Sequence, residues 1–558
     1  MNAFLEHHNL LLVDSKDPIR GRYVKSTTRI TKGTVIITSQ PLGTVVLPQT
    51  ANEYCNYCFR KQTQPPLQRC SRCKATYFCD MGCFRNAWLS YHQFVCTPVD
   101  QQEKTMTAEN DLDLEMLEKV ALNVSRYRKR ESKDETGGDE ETVDVTMEAF
   151  FSLMGHDKLQ RPAVQRAYRQ IAQTALKKVY IRETGLTEDE LVHYLNVFKS
   201  NNFAIDDKDM FAIGEGTYPI ASLFNHSCRP NAVIMYDGAL AEIHAIEDIE
   251  PETEITVSYL DAAHSRTYRK RMLKDKYFFD CRCLRCERHE EKPYVALIDE
   301  LLGEEESEWD RADEILNGGK NEARSYVMKQ IDEWDLLEMC KIYDRKSSGC
   351  PDPSEPLSIA HYTHYFIQFF APYLLTWNQP HLHQQYVGTT RKTQLTDFDD
   401  PLPALAKPPV QATYDDILST AIETMKQYPT SSSTLIPYRL TTLSVCSRLM
   451  YDQMAEGHWE AAVKLGMYVL IQYCLIYPPY HPMLARHFLT LAKACWNSII
   501  QQELLNNGRQ LAKVFERGVR RWIMSSKETV AVAFGKHSSL WRETLELEWI
   551  FLREQNLK

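Results

Sequence analysis

Two hydrophobic periods divide the chain. Near the N-terminus the apolar runs are short: Leu10 to Val13, Val35 to Thr38 and Gly43 to Leu47, punctuated by Gly33, Pro41 and Gly43. They predict strands joined by turns. Glu254-Ile255-Thr256-Val257-Ser258-Tyr259 has the same strand-like character. Elsewhere the period lengthens. Met106 to Arg126 carries Leu112, Leu114, Leu117, Val120, Ala121 and Val124 near helical spacing. Thr187-Glu188-Asp189-Glu190 is a capping box opening a helix through Phe198. Beyond Glu287 helical patterns repeat: Tyr294 to Leu302, Arg324 to Ile342, Ile359 to Trp377, Tyr414 to Gln427, Thr434 to Met454, Trp459 to Ile476, Pro482 to Ile500, Leu504 to Met524 and Val530 to Arg553. A Gln/Pro-rich stretch between Asn378 and Thr413 is expected to be a loop.

Composition bounds the class. A length of 558 residues suggests three or four domains, and 43% hydrophobic with 25% charged residues is globular. A net charge of -10 argues against wholesale nucleic-acid binding, although Arg60, Lys61, Arg69, Arg72 and Lys74 are locally basic. No run approaches the ~18 apolar residues of a membrane span, so no membrane partner is expected. The start, MNAFLEHHNLLLVD, lacks the features of a signal peptide. An intracellular protein, cytoplasmic or nuclear, is therefore expected. The acidic run Glu131 to Asp144 predicts a solvated loop. The preceding Arg126 to Arg130 reads as a nuclear localisation signal or as the basic end of a helix.

The sixteen cysteines change the picture. In a reducing compartment, clustered cysteines point to metal rather than disulfides. Five are scattered (Cys340, Cys350, Cys446, Cys474, Cys495) and read as buried thiols, while eleven cluster. Cys55-x-x-Cys58, Cys70-x-x-Cys73, Cys79-x-x-x-Cys83 and His92-x-x-x-Cys96 supply eight ligands, and Cys281-x-Cys283-x-x-Cys286 with Cys228 supplies four more. Twelve ligands fill three tetrahedral zinc sites. Spacing alone leaves interleaved and sequential pairing both open. The first segment is small and rich in Lys, Arg and Gln, so metal would stand in for a core. Closed four-ligand sites leave no coordination position for catalysis, which assigns them to structure and partner binding.

Several motifs together resemble the SET-domain lysine methyltransferases, within them the SET- and MYND-type subfamily. They are Asn225-His226-Ser227-Cys228-Arg229-Pro230-Asn231, Ser258-Tyr259-Leu260-Asp261, the Cys281–Cys286 triplet and the Cys55–Cys96 cluster. The resemblance implies an α+β multidomain protein. Its β-rich SET fold would be split by a MYND zinc finger and a helical insertion, and followed by a post-SET zinc site and a C-terminal all-α TPR-like array. The implied divisions are SET at 1–50 and 201–264, MYND at 51–97, and an insertion at 98–200 with its acidic loop near 131–145. Post-SET would run over 265–288 and the helical array over 289–558. Trp459 and Pro482 open segments similar to tetratricopeptide helices, without a crisp 34-residue repeat.

The implied activity is S-adenosylmethionine-dependent methylation of protein lysine, in histone or non-histone substrates. The resemblance makes Tyr259 the catalytic tyrosine, a hydrogen-bonding and positioning phenol. Tyr277 and Phe279, alternating on an extended segment, would wall the lysine channel. Gly21, Arg22, Asn201, Asn225, His226, Tyr259 and Phe279 are the implied donor-binding positions; Tyr23 stands where the pattern has its second glycine. The family pairing interleaves the finger: Cys55, Cys58, Cys79 and Cys83 on one zinc, Cys70, Cys73, His92 and Cys96 on the other. Cofactors are thus S-adenosylmethionine and three structural zincs. Implied partners are a lysine-bearing protein, proline-rich peptides at the finger and chaperone-type peptides at the helical array. The competing expectation is a catalytically inactive adaptor of the same architecture. No Gly-x-Gly-x-x-Gly follows a strand, which excludes a Rossmann-type methyltransferase.

Overall fold

The computed structural model describes residues 1–16, 20–62, 64–98, 108–134, 144–290, 295–301, 320–334, 440–504 and 509–557. The predicted helices Ile359 to Trp377 and Tyr414 to Gln427, the Gln/Pro-rich loop, Cys340 and Cys350 lie outside them. The chain forms two compact units. One comprises residues 1–226, 231–259 and 271–280, and the other 227–230, 260–270 and 281–558.

The first unit is built from small sheets. Its strands are β1 (Leu10–Asp14), β2 (Arg22–Ser26), β3 (Val35–Ser39), β4 (Gly43–Val46), β5 (Gln68–Arg69), β6 (Tyr77–Phe78), β7 (Asn202–Asp206), β8 (Ala212–Thr217), β9 (Asn225–His226), β10 (Ala232–Asp237), β11 (Leu240–Ala245) and β12 (Thr256–Val257). They order as β1-β2, β10-β11-β3, β4-β8-β7, β5-β6 and the pair β12-β9, which is parallel where the others are antiparallel. The three strands read from the first 50 residues are present as β1, β3 and β4. β2 was not predicted: its Arg22, Tyr23 and Lys25 obscure a strand in which Val24 and Ser26 are buried.

Helices Ala108–Asp134, Pro162–Lys177 and Glu188–Asn201 pack on these sheets, with Leu117, Val120, Ala121, Ile171, Leu191 and Leu195 in one core with Ile37, Val45, Ile205 and Ile243. The capping box forms: the Thr187 hydroxyl accepts from the Glu190 amide while Glu190 accepts from the Thr187 amide. The acidic loop needs correction. Helix Ala108–Asp134 runs on through residues 131–134, and residues 135–143 lie outside the description. Arg, Lys and Glu are good helix formers, so charge alone does not end a helix. The basic run lies inside it, Arg126 donating to the Ser90 carbonyl and Arg128 to Glu190.

The finger packs on the sheets through two glycines. A Cβ on Gly214 would stand 2.4 Å from the Phe59 ring, and one on Gly238 2.4 Å from the Cys58 carbonyl oxygen. Gly238 also has φ +63°, in the tight β10-β11 turn.

The second unit is helical: Leu297–Leu301, Lys320–Asp332, Leu440–Glu456, Trp459–Ile476, Pro482–Leu504, Arg509–Ala533 and Ser539–Leu557. The last two replace the predicted Leu504 to Met524 and Val530 to Arg553. The break falls later, where Gly535 at φ +77° ends the preceding helix. Trp459–Ile476 also corrects the reading that no run is long and apolar enough for a bilayer: it passes that test, yet 83% of it is buried. Every residue from Ala462 to Ile476 is inside, and a Cβ on Gly466 would meet Met450 and Leu491 at under 3 Å. It is the core helix of the array. The Tyr477 hydroxyl just after it donates 2.7 Å to Asp261.

Candidate active site and zinc centres

The three ligand sets converge as Cys55, Cys58, Cys79 and Cys83; as Cys70, Cys73, His92 and Cys96; and as Cys228, Cys281, Cys283 and Cys286. Within each set the ligand atoms lie within 4.8 Å of one another. Tetrahedral zinc with Zn–S near 2.3 Å requires sulfurs about 3.8 Å apart. The observed separations match: 3.5 Å for Cys58–Cys79, 3.8 Å for Cys70–Cys96 and 3.6 Å for Cys228–Cys286. His92 turns Nε2 towards Cys70 and Cys73 at 3.4 and 3.8 Å. The finger pairing is therefore interleaved. Asp80 caps the helix Met81–Ala87 by accepting from the Cys83 amide, which sets that ligand's height. Phe78, Phe84, Trp88 and Tyr91 surround the ligands as a small satellite core.

The first unit gathers four of the predicted site residues. β9 and β12 lie side by side, pairing Asn225 with Thr256 and His226 with Val257. Asn231, the last residue of the Asn-His-Ser-Cys motif, pins them: its Oδ1 accepts from the Thr256 amide at 2.9 Å and its Nδ2 donates to the Glu254 carbonyl at 2.9 Å. Two residues on from this parallel pair, the Tyr259 amide donates 2.9 Å to His226 Nδ1. That acceptor role places the neutral imidazole's proton on Nε2. The Tyr259 ring stands 5.2 Å from His226, 4.9 Å from Tyr277 and 6.5 Å, edge-on, from Phe279; His226 and Phe279 are 6.1 Å apart. The four rings form one aromatic cluster.

Burial, with Tyr277 and Glu254 nearby, pushes the Tyr259 phenol well above its ordinary pKa, so it remains protonated. Its hydroxyl donates 2.7 Å to the Phe224 carbonyl.

One local expectation fails. Tyr277 and Phe279 do not alternate along an extended segment. Tyr277 is the last residue of helix Arg266–Tyr277, Phe278 takes φ +62°, and Phe279 follows the reversal. The left-handed turn at Phe278, not strand alternation, brings both rings to Tyr259. Phe278 itself points elsewhere, 4.9 Å from the His156 ring.

The other implied donor-binding positions are held by contacts of their own. Asn225 Nδ2 donates to the Arg20 carbonyl at 3.2 Å and to Glu254 at 2.9 Å, tying it to the Gly21 turn. Gly21 has φ +60° and nothing within 4 Å of where a Cβ would stand, leaving backbone open to close approach. Arg22 donates to Ser152. Tyr23, at the departed glycine position, is covered by the Arg20 guanidinium 3.7 Å above its ring. Asn201 ends helix Glu188–Asn201, its amide donating to the Val197 and Met154 carbonyls while its own carbonyl accepts from Ser222.

The sequence reading missed Glu254 and the Phe224 carbonyl, which hold Asn225 and Tyr259. Asn231 stood inside the quoted motif, and its spacing after Asn225 was the available signal.

The SET-domain family model matches residues 21–260. Human N-lysine methyltransferase SMYD2 is 26% identical over 335 residues, 60% of this chain and 73% of that protein. Mouse histone-lysine N-methyltransferase SMYD3 is 25% identical over 341 residues, 60% and 72% of the two chains. Histone-lysine N-methyltransferase ASHR1 of Arabidopsis thaliana is 28% identical over 272 residues, 48% and 53%. Residues 21–260 carry a SET domain, and the chain is similar to SET- and MYND-type lysine methyltransferases. Among solved structures, the SET domain of LSMT bound to lysine and AdoHcy aligns over 98% of this chain and 87% of that one. Its TM-score is 0.27 at 10% identity, a likeness too slight to rest anything on.

Proposed function

We propose that the protein transfers a methyl group from S-adenosylmethionine to a lysine side chain of a protein, with Tyr259 at the point of transfer. The carrying observation is the cluster of His226, Tyr259, Tyr277 and Phe279 around a phenol that burial keeps protonated. When bound, S-adenosylmethionine supplies an electrophilic methyl on a sulfonium. The open Gly21 turn is the feature that fits it: backbone carbonyls at such a turn suit a cation, and Asn225, tied to the same turn, is placed beside it. Arg22, Asn201, His226 and Phe279 complete the assigned holders.

The chain's own groups would do three things. Tyr277 and Phe279 exclude water from the acceptor, which disfavours its ammonium form and draws its pKa down from about 10.4. Their faces attract the amine and its methylated product. Tyr259, held by Phe224 and His226, fixes the line of approach; orientation supplies most of the rate in such a displacement. Histone and non-histone tails both present suitable lysines, and proline-containing peptides at the finger or chaperone-type tails at the helical array would deliver them.

The test is a lysine-peptide array incubated with zinc-loaded protein and radiolabelled donor. Label on lysine peptides, absent when lysine is replaced by arginine, is expected. Donor binding without label on any peptide would favour the adaptor reading instead.

A further inference from the structure

Behind Cys228 lies a knot of buried charge that the methyl-transfer reading does not use. Arg269, fully buried in helix Arg266–Tyr277, donates through Nε to Cys228 Sγ at 3.2 Å. Its terminal nitrogens donate to Asp299 at 2.7 and 3.1 Å, and one also reaches the His264 carbonyl. Arg285, between ligands Cys283 and Cys286, is likewise fully buried and donates 2.7 Å to Asp299 and 2.7 Å to the Ala262 carbonyl. Arg266 Nε lies 3.7 Å from Asp299. Asp299, in helix Leu297–Leu301, has a fully buried side chain.

The bland account is a structural ion pair. It leaves a charge problem. Two fully buried guanidinium groups, those of Arg269 and Arg285, share the one Asp299 carboxylate, and burying uncompensated charge costs several kcal/mol per ion. Four thiolates around one Zn²⁺ carry a surplus of two negative charges. The buried positive charge offsets part of this negative charge, and the contact across which they meet is the Arg269–Cys228 hydrogen bond. Such outer partners orient metal ligands and tune the metal, and their loss typically costs on the order of 10–100-fold in metal affinity.

We propose that Arg269, Arg285 and Asp299 form the outer shell of the Cys228–Cys281–Cys283–Cys286 zinc centre. Arg269 neutralises and orients the Cys228 thiolate, and Asp299, thirteen or more residues along the chain from every ligand, acts as a positioning residue that holds both guanidinium groups. The inference depends on zinc at this cluster and not on methyl transfer. It makes metal retention a property of the first short helix of the C-terminal region as well as of the four cysteines. Losing the metal would remove the charged thiolates that Arg269 faces and leave Arg269 and Arg285 sharing Asp299, so release of this zinc should loosen that helix too.

The experiment follows zinc release from the full chain into a chromogenic chelator. Three zincs are expected, and Asp299→Asn and Arg269→Lys should each release one of them about tenfold faster or more, leaving the other two at wild-type rates. Arg282→Gln, which alters an exposed arginine in the same cysteine segment, should match wild type. In cobalt-substituted protein the thiolate-to-cobalt charge-transfer band should move to longer wavelength in Arg269→Lys, because a shorter side chain with a single ammonium cannot bridge Cys228 and Asp299 as the guanidinium fork does, and a thiolate with a weaker N–H donor is more easily oxidised; a residue that only fills space would not move it. If Asp299→Asn does not fold, Arg269→Lys carries the test alone. Wild-type release of all three zincs with an unmoved band in Arg269→Lys would overturn the proposal.

Discussion

The hydroxyl of Tyr259 donates its proton to the backbone carbonyl of Phe224 at 2.7 Å. The carbonyl belongs to the residue immediately before Asn225 and His226, and the Tyr259 amide in turn donates to His226 Nδ1. The phenol is therefore locked from both ends to the segment that carries two of the assigned donor-binding residues. A protonated hydroxyl held this way does not serve as a base, which fits the positioning role proposed for it.

Asn231 should be the keystone of that lock. It bridges the Thr256 amide and the Glu254 carbonyl, so Asn231→Ala leaves a half-buried donor and acceptor unmatched. A loss of about 2 kcal/mol of stability is expected, with weaker binding of S-adenosylmethionine. Chemical denaturation and calorimetric titration of the variant check both, and unchanged donor affinity would detach Asn231 from the site.

Zinc content should fall in steps. Cys281→Ser is expected to lower the metal from three zincs to two, and Cys70→Ser likewise, because each set is complete with no spare ligand. Elemental analysis of purified variants decides it. A Cys281→Ser protein that still holds three zincs would contradict the grouping with Cys228.

The finger should depend on Gly238. A Cβ there would stand 2.4 Å from the Cys58 carbonyl oxygen, and φ is +63°. Gly238→Ala is expected to cost about 1–3 kcal/mol and to expose the finger to limited proteolysis, while zinc stays at three. Wild-type protease resistance would show that the close approach is dispensable.

Acid should weaken the helical unit through His487. Burial lowers its pKa from 6.5 to about 4, even though Nε2 donates to the Gly466 carbonyl. Unfolded, the imidazole takes up its proton near pH 6.5; folded, it stays neutral until about pH 4. The unfolded chain thus holds the extra proton between those values, and stability falls as pH drops through them. From pH 7 to 5 the loss is about 2 kcal/mol. Thermal unfolding at the two pH values, compared with His487→Leu, measures it; an equal pH dependence in the variant would remove His487 as the cause.

Much of this architecture was legible because its signals are local. Cysteine spacing gave the ligand count, and the Thr187 capping box gave a helix start. The helix Trp459–Ile476 matched its predicted bounds because its apolar run is flanked by polar residues and Pro478. What escaped was set by tertiary context. Nothing in Arg22-Tyr23-Val24-Lys25 announces a strand until Val24 is seen buried against the core. The alternation of Tyr277 and Phe279 looked like a strand, but the helix runs to Tyr277 and Phe278 turns the chain in a conformation costly for a side chain. Nothing in the sequence marks Arg269, Arg285 and Asp299 as buried, since their burial depends on partners up to 71 residues apart, from Cys228 to Asp299.

The most direct measurement compares wild type with Tyr259→Phe, both zinc-loaded, for S-adenosylmethionine affinity and for transfer of labelled methyl to a lysine substrate from the array. Removing one hydroxyl leaves the aromatic cluster in place, so affinity should change by less than about threefold, while transfer should drop by a factor of about 100 or more. Transfer at the wild-type rate in Tyr259→Phe would contradict the assignment of Tyr259 to the point of methyl transfer.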